Sequence, residues 1–102
     1  MKTVVVRYKV KPDRVAENEE LVRAVYEELH RAQPDGLHYA TFRLDDGVSF
    51  MHVSATEADE NPLTRTEAFA RFTESIRERC DEPPVVTAGE EIGSYRVFGS
   101  TP

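Results

Sequence analysis

The sequence predicts an α+β fold, a four-stranded antiparallel sheet with two helices on one face, in the order β-α-β-β-α-β. Three observations lead there. The 21 residues from Gly36 to Thr56 read as two alternating strands around an acidic-glycine turn. A segment with apolar residues at helical spacing flanks this hairpin on each side. One further strand lies beyond each helix. With 102 residues the chain has the length of one domain, taken as 1–102.

The first strand is Thr3 to Val10. Val4, Val6, Tyr8 and Val10 share one parity, and Thr3, Val5, Arg7 and Lys9 the other, so one face is apolar and one mixed. Pro12 removes a backbone donor and ends it. Asp13 is the expected N-cap of the first helix. Val15, Val22, Val25 and Leu29, with Leu21 between them, form its apolar stripe, and Glu17, Glu19, Glu20, Glu27 and Glu28 its solvated side. Gln33-Pro34-Asp35-Gly36 stops the helix and turns the chain.

The central hairpin follows, GLHYATFRL, DDG and VSFMHVSAT. A two-residue turn at Asp46-Gly47 sets Asp45 opposite Val48. A three-residue turn with a bulge at Gly47 is the alternative and shifts the register. The first choice separates polarity more cleanly. One face then carries His38, Ala40, Phe42, Leu44, Met51, Val53 and Ala55, and is expected against the helices. The other carries Leu37, Tyr39, Thr41, Arg43, Phe50, His52 and Ser54, and is expected on the uncovered side of the sheet.

Beyond a polar loop from Glu57, the second helix is expected from Thr64, with Thr64 and Glu67 spaced as a capping box. Phe69, Phe72 and Ile76 form its buried stripe, with Ala68 beside them. Asp81-Glu82-Pro83-Pro84 is expected to end this helix, and Glu91 to Phe98 to form the last strand. The whole is the split βαβ, or ferredoxin-like, plan. Two helices cover one face of such a sheet and leave the other open.

Composition excludes several functions. Net charge is −6, and there is no basic run, so no nucleic-acid partner is expected. The N-terminal MKTVVVRYKVKP is too short and too charged for a signal peptide or a membrane span, which points to the cytoplasm with no membrane partner. Cys80 is the only cysteine and reads as a small core residue late in the second helix. His30, His38 and His52 have no metal-ligand spacing, so no metal is expected. No glycine-rich loop opens a helix, and no nucleophile elbow is present.

A mixed face with aromatic side chains suits a homodimer interface through the open sheet face, a small-molecule cavity, or both. On that face His52 is the catalytic candidate, because a neutral imidazole can act as a base towards a phenolic hydroxyl. Tyr39, Thr41, Phe50 and Ser54 are candidate ligand contacts. Arg7 and Arg43 could bind an anionic group or pair with acidic residues. A packed, hydrogen-bonded interface explains the same residues without chemistry. His30 suits the C-terminal dipole of the first helix.

The chain resembles the dimeric α+β barrel proteins, in particular the antibiotic biosynthesis monooxygenase-like domain. The opening VVVRYKVKP, the Gly36 entry to the second strand, the LDDGVSFMHV hairpin and the TEAFARF helix carry the resemblance. It implies a homodimer whose two sheets form a barrel, with a cavity in each subunit. It also implies a cofactor-independent oxygenase acting on a small, largely apolar molecule, with a non-catalytic ligand-binding or structural dimer as the alternative. Haem-degrading relatives carry Asn on the first strand, Trp on the third and His on the second helix. The matching positions here are Val5 or Val6, Ala55 or Thr56, and Phe72, so haem degradation is not implied.

Overall fold

The computed structural model describes residues 2–57 and 59–97. Strands β1 (Lys2–Val10), β2 (Leu37–Arg43), β3 (Ser49–Thr56) and β4 (Cys80–Gly89) form one sheet in the order β2-β3-β1-β4, with every neighbouring pair antiparallel. Helix α1 (Val15–Ala32) and the pair α2 (Glu67–Glu74) and α3 (Ile76–Arg79) complete the α+β architecture. The sheet of this one chain is open, with β2 and β4 as its edges.

The hairpin register is the expected one. Tyr39 pairs with Ser54, Thr41 with His52 and Arg43 with Phe50. The turn itself differs. The Gly47 N–H donates to the Leu44 carbonyl, and Gly47 takes a left-handed φ of 79° that other residues resist. The Asp46 carboxylate accepts from the backbone N–H groups of Val48 and Ser49 and from the Ser49 hydroxyl. Those bonds hold it ionised, lowering its pKa to about 2.

The two faces of the hairpin are exchanged relative to expectation. Phe50, His52, Ser54 and Thr56 are buried beneath the helices, whereas Met51, Val53 and Ala55 lie on the uncovered side. The cause is the pairing of β3 with β1. Ser54, His52 and Phe50 stand opposite Val4, Val6 and Tyr8, the cleanly apolar parity of β1. The Met51 and Val53 parity stands beside Arg7 and Val5. Polarity within the hairpin is a poor guide because Tyr39, Thr41 and His52 on its inner face are hydrogen-bonded to one another and to Tyr8 and Tyr26, which removes most of the cost of burying them.

The last strand also differs. It is Cys80–Gly89, and residues 90–97 form no strand; Phe98 lies outside the described residues. Pro83 and Pro84 sit where the β1–β4 register shifts, between the Lys9–Glu82 and Arg7–Val85 pairs. An edge strand with a bulge tolerates prolines because no ladder donor is needed there. The run Val85-Val86-Thr87 was the strand signal. Cys80 is buried as expected, but it begins β4 rather than lying in a helix.

Both expected caps move. Pro12–Arg14 forms a 3-10 turn, Asp13 caps nothing, and Arg14 precedes α1 while pairing with Glu17 at 2.7 Å. The cap of α2 is Thr66, whose hydroxyl accepts from the Phe69 N–H. Thr64 lies in the preceding 3-10 turn, Pro62–Arg65. The Glu28 carboxylate of α1 accepts from the Glu67 and Ala68 N–H groups, so one helix anchors the first turn of the other. The core is Tyr8, Val10, Val25, Phe50, Leu63, Ala68, Phe72 and Cys80.

Candidate functional site

A cavity of about 390 Å³ lies between the sheet and the α2–α3 segment. Val4 and Val6 of β1, Tyr39 of β2, and His52 and Ser54 of β3 form its sheet wall. Phe69, Phe72 and Ile76 close the helical side. Asn61, Thr73 and Arg77 contribute polar groups, and Val86 lines the β4 side. Phe69, Phe72 and Ile76 recur at helical spacing, which is why the wall they make is apolar.

A continuous chain of hydrogen bonds runs along the sheet wall. His52 is only 5% exposed. Its Nε2 lies 2.7 Å from the Tyr8 hydroxyl, and its Nδ1 lies 2.6 Å from the Tyr39 hydroxyl. Thr41 Oγ1 is 3.1 Å from the same Nδ1 and 2.8 Å from the Tyr26 hydroxyl. On the far side, Asn18 Nδ2 donates to the Tyr8 hydroxyl at 3.0 Å, and Arg79 Nε donates to Asn18 Oδ1 at 3.1 Å. Arg79 is fully buried. It also donates to Phe72 O and Ser75 Oγ and lies over the Phe72 ring.

Burial sets the protonation states. Loss of solvation lowers the His52 pKa to about 4, so the ring is neutral near pH 7. The same cause raises Tyr8, Tyr39 and Tyr26, which stay protonated. Burial also lowers Arg79, though a guanidinium remains charged at neutral pH. Among the described residues, no buried side-chain polar atom lacks a partner.

The structure brings together four of the seven residues singled out from sequence: Tyr39, Thr41, His52 and Ser54. They meet under the helices, not on the open face where they were expected. Phe50 is a core side chain, stacked on Tyr8 with ring centroids 5.6 Å apart. Arg43 is exposed and pairs with Glu19 at 2.5 Å. Arg7 is exposed on the uncovered face, opposite Met51. Neither arginine lines the cavity, because β1 parity and the β2 strand end place them elsewhere.

Sequence reasoning missed Tyr8, Asn18, Tyr26 and Arg79. Two carried a readable signal. Asn18 stands in the apolar stripe of α1, between Val15 and Val22, and Arg79 follows Phe72 and Ile76 at helical spacing. A polar residue inside an apolar stripe is buried and needs a partner. Among the described residues, no group of three or more His, Cys, Asp and Glu side chains is placed to hold a metal.

No protein-family model matches the chain, and no curated protein matches it. Solved structures do. A protein described as a candidate antibiotic biosynthesis monooxygenase from Nitrosomonas europaea superposes with a TM-score of 0.77 at 18% identity, over 91% of this chain and 100% of that one. Rv0793 from Mycobacterium tuberculosis superposes with a TM-score of 0.73 at 19% identity, over 91% and 96%. An asparagine-to-alanine variant of SnoaB, a cofactor-independent oxygenase from Streptomyces nogalater, gives 0.67 at 16%, over 91% and 94%. The fold is therefore that of the antibiotic biosynthesis monooxygenase-like proteins, a ferredoxin-like α+β fold. Identities this low carry the fold and no activity.

Proposed function

We propose that this chain is a one-domain cytoplasmic enzyme of the monooxygenase-like kind. It acts on a small, largely apolar molecule bearing an oxygen function, bound in the cavity between sheet and helices. The observation that carries the reading is the 390 Å³ cavity with apolar walls and the Tyr39–His52 pair on one side. Tyr39 is the group proposed to touch the substrate oxygen, with Ser54 beside it across the hairpin. His52 has both ring nitrogens hydrogen-bonded within the protein. It therefore serves as a positioning residue for Tyr39, which replaces the direct base expected from sequence. An oxygenase that binds no cofactor must draw its electrons from the substrate, and an electron-rich oxyanion is the form that gives them up to dioxygen. The substrate enters as its oxyanion, its proton left with solvent water, and a hydrogen bond from Tyr39 stabilises that form. SnoaB, a cofactor-independent oxygenase, shares this fold, so the fold accommodates a reaction of that class.

The test is dioxygen consumption by the protein, in the presence of a chelator, against a panel of fused-ring phenols and ketones. Turnover that falls at least tenfold in Tyr39→Phe supports the proposal. Compounds that bind in the cavity with no uptake of dioxygen would reassign the protein as a ligand-binding module.

We further propose a homodimer through the uncovered sheet face. Val5, Ala40, Met51, Val53 and Ala55 lie on that face, and Arg7 and Lys9 share it. Two such sheets face to face would complete a barrel, and burial of these apolar groups would drive the association. Val85, paired with Arg7 on β1, is a large, exposed apolar side chain on the same face that a second copy would also cover. Sedimentation at micromolar concentration is expected to give twice the 11.6 kDa chain mass. A single species at the chain mass would refute the dimer.

A further inference from the structure

The hydrogen-bond chain behind the cavity has a direction, and Arg79 sets it. A guanidinium only donates. Arg79 Nε is bonded to Asn18 Oδ1, which fixes the orientation of the Asn18 amide and leaves its NH₂ group as a donor towards Tyr8. Rotating the amide would set its NH₂ against the guanidinium. With one lone pair of the Tyr8 oxygen so occupied, the buried Tyr8 O–H has His52 Nε2 as its acceptor at 2.7 Å. A neutral imidazole carries one N–H, so the proton resides on Nδ1, which donates to the Tyr39 hydroxyl at 2.6 Å. Tyr39, having received that bond, keeps its own O–H proton to give, and Thr41 Oγ1, which also hydrogen-bonds it, is the acceptor that a ligand oxygen would replace. It is a residue of the cavity wall.

The reverse direction is closed. If Tyr39 donated to Nδ1, Nε2–H would donate to Tyr8, and the Tyr8 proton would meet only the Asn18 NH₂. Tyr8 is 2% exposed, and a buried hydroxyl proton without an acceptor is costly. The four links from Arg79 to Tyr39 thus form a one-way relay, with a buried cation at one end and a hydrogen-bond donor at the other.

We infer that Arg79 and Asn18 are positioning residues that make Tyr39 a donor, and that the cavity selects ligands presenting an acceptor oxygen, a ketone or an oxyanion, over ligands that must donate. This rests on the proposal that the cavity is the ligand site and names the chemistry it takes. Arg79 lies four hydrogen bonds from the cavity and touches no ligand, so its effect is on the direction of the chain.

The test is Asn18→Asp. The carboxylate is close to the amide in shape and gains Arg79 as an ionic partner, so the fold is expected to persist. It accepts where Asn18 donates. The Tyr8 O–H then turns to residue 18, Nε2–H donates to Tyr8, and Nδ1 accepts from Tyr39. Long-range ¹H–¹⁵N spectra of the His52 ring read this without any ligand. The wild type is expected to show Nδ1 protonated and Nε2 bare, and Asn18→Asp the opposite. An Nε2–H tautomer in the wild type, or one unchanged by Asn18→Asp, overturns the inference.

The second arm uses 1-tetralone and its hydrocarbon counterpart, tetralin, as probes. The wild type is expected to bind the ketone about 3- to 10-fold more tightly, the factor that one neutral hydrogen bond gives. That preference disappears in Asn18→Asp and in Tyr39→Phe, and Tyr39→Phe leaves the His52 tautomer unchanged. Equal binding of the two probes by the wild type overturns the selectivity. If neither probe binds, the cavity is not a site for such molecules and the proposed function fails, while the tautomer still decides whether Arg79 and Asn18 direct the chain.

Discussion

Acid destabilisation through His52 gives the strongest quantitative check on the buried network. The unfolded chain takes up a proton on this ring near its ordinary 6.5, whereas the folded protein does so only near pH 4, because burial removes water from the cation. Between those values unfolding binds a proton, so lowering the pH pulls the equilibrium towards the unfolded chain. At about 1.4 kcal/mol per pH unit the loss reaches roughly 3 kcal/mol once pH falls to 4. About 2 kcal/mol of it falls between pH 7 and 5. Asp46, lowered by its bonds to Ser49 and Val48, adds its own loss only below the ordinary carboxylate range, outside that window. The perturbation is His52→Gln, which keeps a hydrogen-bonding side chain and cannot titrate. Urea unfolding followed by far-UV circular dichroism at pH 7, 6 and 5 measures both proteins. The wild type is expected to lose about 2 kcal/mol across that range and the variant much less. Parallel losses in the two proteins, or none in the wild type, would refute the reasoning.

Other outcomes follow from the packing. Glu28→Ala removes the acceptor for the Glu67 and Ala68 N–H groups and is expected to cost about 1 to 2 kcal/mol, read as a lowered midpoint in thermal unfolding. Phe72→Ala empties a core position that is 4% exposed and meets His52, Tyr8 and Arg79; a loss of about 3 to 5 kcal/mol in urea unfolding is expected. Val53→Glu sets a charge in the middle of the uncovered face and is expected to halve the sedimenting mass with little change in the far-UV spectrum. A mass of two chains retained by Val53→Glu would refute the proposed association through this face.

Element order and the hairpin were legible because their signals are local. Period-two alternation in β1 and across the Asp46-Gly47 turn needs only neighbouring residues, and register follows once the turn is placed. The apolar stripe of α1 was legible for the same reason. The C-terminal third was not. Pro83-Pro84 has the form of a helix terminator, and only pairing with β1 at a sheet edge makes it part of a strand. The site was half legible: His52, Tyr39, Thr41 and Ser54 were found as a group because they share a parity of the hairpin. Asn18 and Arg79 lie 61 residues apart, and nothing local brings them together.

By itself the sequence determined the strands and long helix before residue 57 and the set of side chains that share each strand face; of the two hairpin registers it allowed, the structure adopts the one that separates polarity more cleanly. The tertiary structure alone decided which face turns inward. Alternation divides residues into two sides and is symmetric between them. That symmetry is broken by which parity of β1 pairs with which parity of β3, and by whether buried polar groups find partners from α1 and α3. Tyr8, Asn18 and Arg79 supply those partners, so a histidine face is buried and a methionine-valine face is left uncovered.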